Sequence, residues 1–234
     1  MGILANDIID GIIEAFSLLF SFDPELWNII EVSIRVSLIS TLIAAMVAIP
    51  FGSFMALRDF KGKKAISNVL NTFMGFPPVV MGLLVFLLLS NSGPFGFFGF
   101  LYTTIAMMIS QFLLSTPIIM GTTKAAIESV DPLLKEIIIS LGANERQLWW
   151  ELVKDSKRSI LAGYLVAFGQ AISEVGAVMI VGGNLRWHTR TFTTAIVWQT
   201  RMGEFGMAIA LGILLILIAF LLNYALTYLQ MGEK

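Results

Sequence analysis

Residues 132–158 read PLLKEIIISLGANERQLWWELVKDSKR, the one long polar interruption between the apolar runs of the chain. The stretch mixes both charge signs with large apolar residues: Ile137 to Ile139, Leu141, Leu148, Trp149, Trp150 and Leu152. Leu133–Leu141 and Glu145–Val153 each space their apolar positions as a short amphipathic helix, with Gly142-Ala143-Asn144 as the break between them. The sequence therefore predicts a helix–glycine–helix elbow. A solvated loop between two spans rarely carries two adjacent tryptophans and an Ile-Ile-Ile run, and exposed apolar residues in that number mark a docking surface.

The chain around this elbow has 234 residues, of which 57% are hydrophobic and 13% charged. A soluble domain carries about 25% charged residues, so the composition is that of an integral membrane protein in a lipid bilayer, and its long apolar runs are read as an all-α fold. The net charge of −1 gives no bulk attraction to nucleic acid. The absence of cysteine excludes disulfides and thiolate metal sites. With His188 as the single histidine, neither a histidine metal cluster nor a histidine-containing triad is expected. No Gly-x-x-x-x-Gly-Lys-Ser/Thr run occurs, so the chain has no P-loop of its own. No cofactor is expected on this chain.

Five spans are predicted outward from the elbow: 32–57, 66–89, 101–122, 160–181 and 205–229. The first carries only Arg35, near its end, where an arginine can snorkel to the interface. The second is interrupted at Gly75-Phe76-Pro77-Pro78, because prolines break the helical hydrogen-bond ladder. Broken backbone at membrane depth is tolerated where it is buried in protein or lines a wet cavity. The third offers Gln111, Ser115, Thr116 and Pro117 as inward polar candidates. Between the fourth and fifth lies a long polar segment, 182–204, with a short helix expected at 194–200. Residues 1–31 hold six carboxylates and no lysine or arginine, unlike a signal peptide. Ile8, Ile9, Ile12, Ile13, Phe16, Leu19 and Phe20 recur at helical spacing there, which predicts an amphipathic helix on the outer surface.

Orientation follows from the basic residues. Ten fall in the loops at 58–64 and 122–159, and three, Arg186, Arg190 and Arg201, on the opposite side. Short basic loops stay inside. The N-terminus is thus expected outside, and the elbow and C-terminus in the cytoplasm. No internal repeat is visible, unlike inverted-repeat secondary carriers.

Glu174, in Gln170-Ala-Ile-Ser-Glu-Val-Gly-Ala177, lies near the middle of the fourth span. A carboxylate at that depth costs a few kcal/mol, so it is expected to face the interior with partners. It serves either as a pore-lining or gating group, or as a hydrogen-bond hub tied to a donor such as Gln170 or Ser173. As the acid of an intramembrane enzyme it lacks a second clustered carboxylate, histidine or cysteine. Gly163, Gly169, Ser173 and Gly176 allow close helix approach. Arg186, His188, Arg190 and Arg201 form a basic outer rim, suited to an oxyanion, to an acidic protein surface or to phospholipid headgroups, since guanidinium matches tetrahedral oxyanions. Trp27, Trp187 and Trp198 read as interface anchors.

Two stretches carry a family resemblance. Glu136-Ile137-Ile138-x-x-x-Gly142 resembles the EAA loop of ABC-importer permeases, with isoleucines in place of two alanines and Asp155 where that family usually has a proline. Ala171-Ile-Ser-Glu-Val-Gly-Ala-Val-Met-Ile-Val-Gly-Gly-Asn184 resembles the Glu-x-Gly-Ala…Gly-Asn segment of the molybdate/sulfate/tungstate group of these permeases. With Thr189-Arg-Thr-Phe-Thr-Thr-Ala-Ile196 and Arg201-x-Gly203, it is most similar to the tungstate branch, whose coupling loop also lacks the proline. The resemblance covers roughly residues 30–230. It implies a type I importer permease fold over 32–230 and a homodimeric pore. Two ATP-binding-cassette subunits would dock below and an extracytoplasmic oxyanion-binding protein above. It implies ATPase coupling through Glu136, Leu141, Gly142, Ala143 and Asn144. The translocation path would be walled by Phe76, Pro77, Pro78, Gln111, Ser115, Gln170, Ser173 and Glu174, with apolar Met74, Phe76 and Met81 closing the gate.

Overall fold

The computed structural model describes residues 12–13, 16–18, 20–21 and 23–231. Much of the predicted surface helix in 1–31 lies outside these residues. Among the described residues the chain is helical throughout, with no strand.

The first helix, α1 (Pro24–Leu57), is the axis of the molecule. It begins at Pro24, not at Val32, because Asp23 and Pro24 supply a complete start signal. The Asp23 carboxylate accepts from the amides of Glu25 and Leu26, both at 2.9 Å, and Pro24 occupies the first turn. Thirty-four residues reach about 51 Å at 1.5 Å per residue, well beyond a hydrocarbon core of about 30 Å. The acidic first turns therefore stand outside the apolar layer.

The predicted second span is two helices, α2 (Lys63–Met74) and α3 (Pro78–Leu89), bent by 99°. Pro78 has no N–H to continue the ladder, and Pro77 is held extended at ψ 120°. A single 3-10 turn at Gly96–Phe98 leads to α4 (Thr104–Glu128). The elbow follows as α5 (Pro132–Ser140) and α6 (Glu145–Asp155). The predicted fourth span is likewise broken, into α7 (Lys157–Ser173) and α8 (Gly176–Gly182), bent by 56°. After α9 (Phe192–Met202), longer than the expected 194–200, the chain ends in α10 (Phe205–Met231). Among the described residues three helices are long and apolar enough to cross a membrane, and up to five crossings result if each bent pair counts as one.

Three apolar clusters hold the bundle, and α1 contributes to each. Val32 and Val36 pack with α3, α4 and α8 through Val85, Met107 and Val178. Leu26 and Ile29 pack with Ile172, Phe192 and Leu211. Ala44 and Ala48 pack with Ile118, Ile119 and Ala167. Small residues set the spacing. A Cβ on Gly52 would stand 2.5 Å from the Met120 carbonyl oxygen, so α1 and α4 touch backbone to backbone. A polar seam runs through the same contact. Ser40 donates to Gln111 Oε1 at 3.0 Å, Gln111 Nε2 donates to the Ala171 carbonyl at 2.8 Å, and Thr41 donates to the Tyr164 hydroxyl at 3.3 Å.

Candidate functional site

The two helix breaks come together. The first turns of α3 and α8 lie side by side: a Cβ on Gly82 would stand 2.6 Å from the Ala177 Cα, and one on Gly176 would collide with Val79. Met81, Val85, Ala177, Val178 and Val181 join the two short helices in one cluster. Only glycine at 82 and 176 lets the backbones approach this closely. Gly163 serves the same end against Thr122, whereas Gly169 meets only the Leu222 side chain at 3.6 Å, an ordinary contact.

Glu174 occupies the second break, at extended φ −74°, ψ 130°. Its Oε1 accepts from the Ala177 amide at 3.0 Å, and its carbonyl oxygen accepts from Thr193 Oγ1 at 2.7 Å. Neither expected donor is used. Ser173 and Gln170 point outward and are exposed, because the chain turns at Glu174 and throws the preceding helix face away from it. The carboxylate closes a backbone end that the break opens, and Thr193 bolts that break to α9. The amide of Phe192 in turn donates to Ser33 Oγ at 2.8 Å, which anchors α9 on α1.

Of the residues assigned to the path, Gln111 and Ser115 are each 2% exposed within one protomer. Gln111 spends its amide on Ser40 and Ala171, an internal tie between α1, α4 and α7. Of the expected gate residues, Met81 is core and Met74 packs on Gly121. Phe76 remains at the bend, half-buried and stacked on Phe73 at 5.2 Å. Pro77 is exposed and Pro78 half-buried beside it, and Gln170 and Ser173 stay open at the other break.

The basic rim is not a row of free cations. Arg186 donates to Glu25 Oε2 at 2.6 Å and Arg190 to Glu25 Oε1 at 2.8 Å, so one carboxylate is clamped by two guanidiniums. The loop that delivers them is wound tight. Gly183, Asn184 and Trp187 all take positive φ, Thr189 Oγ1 donates to the Gly182 carbonyl at 2.6 Å, and Leu185 N donates to Thr189 Oγ1 at 2.9 Å. The hydrogen bond from Arg186 to Glu25, reinforced by the charge attraction, holds the Arg186 guanidinium above its usual range. Arg186 lies over Trp187 at 5.4 Å and Arg190 over Trp198 at 5.9 Å. His188 is exposed, and Arg201 has no ion-pair partner among the described residues. Sequence reading missed Glu25, although Asp-Pro-Glu is a helix-start signature that places it at the mouth of α1.

At the other end the elbow forms as expected. Asp131 caps α5 through the Leu133 amide at 2.8 Å. Asn144 and Gln147 form a reciprocal capping box at 2.9 and 2.8 Å. Gly142 turns the chain at φ +83°. Leu133, Ile137, Ile139, Leu141 and Trp150 are exposed, Leu141 at 81%. Glu136 and Ala143 lie on the same two-helix unit. Arg58 pairs with Glu145, tying the first basic loop to the elbow. A recess of about 490 Å³ opens between the elbow helices, lined by Leu134, Ile138, Glu151, Lys154 and Arg158.

Paired broken spans, a tightly wound 183–190 loop and an exposed two-helix elbow are the features of a membrane permease of the ABC-importer class, with the type I importer fold. The chain belongs to the family described as binding-protein-dependent transport system inner membrane component, which matches residues 48–232. It is 42% identical to the tungstate uptake system permease protein TupB of Peptoclostridium acidaminophilum over 95% of this chain and 98% of that protein. It is 36% identical to TupB of Campylobacter jejuni over 95% and 93%. The molybdenum transport system permease protein ModB of Escherichia coli K12 is 29% identical over 80% and 85%. Among solved structures, a bacterial ABC transporter involved in import of the acidic polysaccharide alginate superposes with a TM-score of 0.74 at 20% identity, covering 94% of this chain and 84% of that one.

Proposed function

We propose that this chain is the non-enzymatic membrane subunit of a tungstate importer. Two copies form the pore, two ATPase subunits holding ATP and magnesium dock on the cytoplasmic elbows, and an extracytoplasmic binding protein delivers the anion from above. The similarity along almost the full length of a tungstate uptake permease carries this reading. The exposed apolar elbow supports the ATPase contact, since Leu141, Ile137 and Trp150 are left exposed among the described residues. Molybdate is the second reading, favoured by the more distant molybdenum permease. A stand-alone carrier or channel has no use for the elbow, and copurification with an ATPase separates it from an importer.

The test is reconstitution of the complete system in liposomes. Radiolabelled tungstate should accumulate only with ATP and binding protein, and tungstate should compete better than molybdate, and molybdate better than sulfate. Uptake that ignores ATP would remove the importer reading, and preference for molybdate would reassign the anion.

A further inference from the structure

We propose that the outer face of the permease holds its own oxyanion site, in the cavity of about 250 Å³ between the 183–190 loop and α9, with Arg190 and Arg201 as its cationic ligands. This rests on the oxyanion-importer reading and gives that path a defined first station. Met179, Gly183, Asn184, Val197 and Trp198 complete the wall with the two arginines, and among the described residues no carboxylate lines it. The neighbouring recess of about 520 Å³, which shares Arg190 and Trp198, contains Glu25 and Glu204 and is unsuited to a dianion.

Arg190 is only 7% exposed, so its charge is largely removed from water. One nitrogen, NH1, reaches Glu25, while its Nε has no partner among the described residues. A buried guanidinium whose one carboxylate is shared with Arg186 keeps uncompensated positive charge that favours an anion beside it. Asn184 holds a second buried atom without a partner, Oδ1, at the same cavity. Arg201 ends α9, pairs with no carboxylate among the described residues and lines the same space. Two guanidiniums and an amide around a cavity of this size fit a tetrahedral oxyanion, whose oxygens accept forked N–H pairs. Glu25 is a positioning residue here. It fixes the Arg190 side chain through NH1 and supplies one negative charge, so the empty site carries a net positive charge for an incoming dianion.

The same chemistry could come from a phospholipid headgroup, so the experiment has two arms. The full permease–ATPase complex, without binding protein, is placed in nanodiscs of zwitterionic lipid and equilibrated with radiolabelled tungstate. Retention of about one tungstate per permease chain is expected, weakened about tenfold or more by Arg201→Ala and by Arg190→Lys. The lysine can still pair with Glu25 and so preserves the loop while removing the guanidinium fork. Uptake assays on the same purified complexes, reconstituted in liposomes with binding protein and ATP, keep the two claims apart. Wild-type complex that imports tungstate but retains no more than the Arg201→Ala complex overturns the site and leaves the importer reading standing. Loss of uptake in wild type overturns both. In the second arm anionic lipid replaces zwitterionic lipid, and unchanged retention is expected. Displacement of the tungstate would assign the arginines to headgroups and overturn the proposal.

Discussion

Glu174 is a carboxylate in an apolar run, and the structure gives it local work: it accepts the Ala177 amide at the point where the fourth span breaks. A neutral amide oxygen can accept the same bond. Glu174→Gln is therefore expected to assemble and transport, while Glu174→Ala loses the cap at about 1 kcal/mol, read as a lower unfolding temperature in detergent. A Glu174→Gln permease that assembles and transports nothing would show that the charge itself is used. Gly142 poses the opposite case. A Cβ there meets nothing within 4 Å, so space is no obstacle, but φ is +83°. Left-handed backbone costs a residue with a side chain about 1–2 kcal/mol, and a β-branched one suffers most. Gly142→Val should misaim the elbow helices and uncouple ATP hydrolysis from uptake, whereas Gly142→Asn, which tolerates this conformation, should stay coupled. Equal coupling in the two variants would free Gly142 of that role.

At the scale of elements, the breaks matter more than the spans. Pro77 and Pro78 turn one predicted crossing through 99°, and Phe76 is left at the bend, stacked on Phe73. An apolar ring at a narrow bend can block ions by dewetting. Phe76→Ala is expected to raise basal ATPase activity or leak anion, measured in proteoliposomes; unchanged flux and coupling would take Phe76 out of the gate. The prolines made this break legible in the sequence. The elbow was legible too, because capping residues, a glycine and amphipathic spacing are local signals. Gln111 and Ser115 were not. A polar residue in a span looks the same whether it faces a pore or ties helices, and only tertiary packing shows Gln111 bridging Ser40 and Ala171. The arginine clamp was hidden for a similar reason: Glu25 meets Arg186 and Arg190 from more than 160 positions away. The bend at Glu174 carries no proline, so nothing local announced it.

For the molecule as a whole, orientation decides which surfaces meet which partners. The basic loops at 58–64 and 122–159 hold ten lysines and arginines against three in the loop between the last spans. Arg58 reaching Glu145 places both basic loops at one end, and the clamp on Glu25 places the start of α1 with the 183–190 loop at the other. The elbow is therefore expected in the cytoplasm, with the turn at 90–100 outside. The chain has no cysteine, so single replacements report position without background. Position 62 is unsuitable, since Gly62 has φ +93°. Lys61 and Asn91 are exposed and lie at opposite expected ends. In whole cells a membrane-impermeant thiol reagent should label Asn91→Cys and leave Lys61→Cys unlabelled until the membrane is permeabilised. The reverse pattern would turn the elbow outward, where no ATPase can reach it, and the importer assignment would lose its coupling surface.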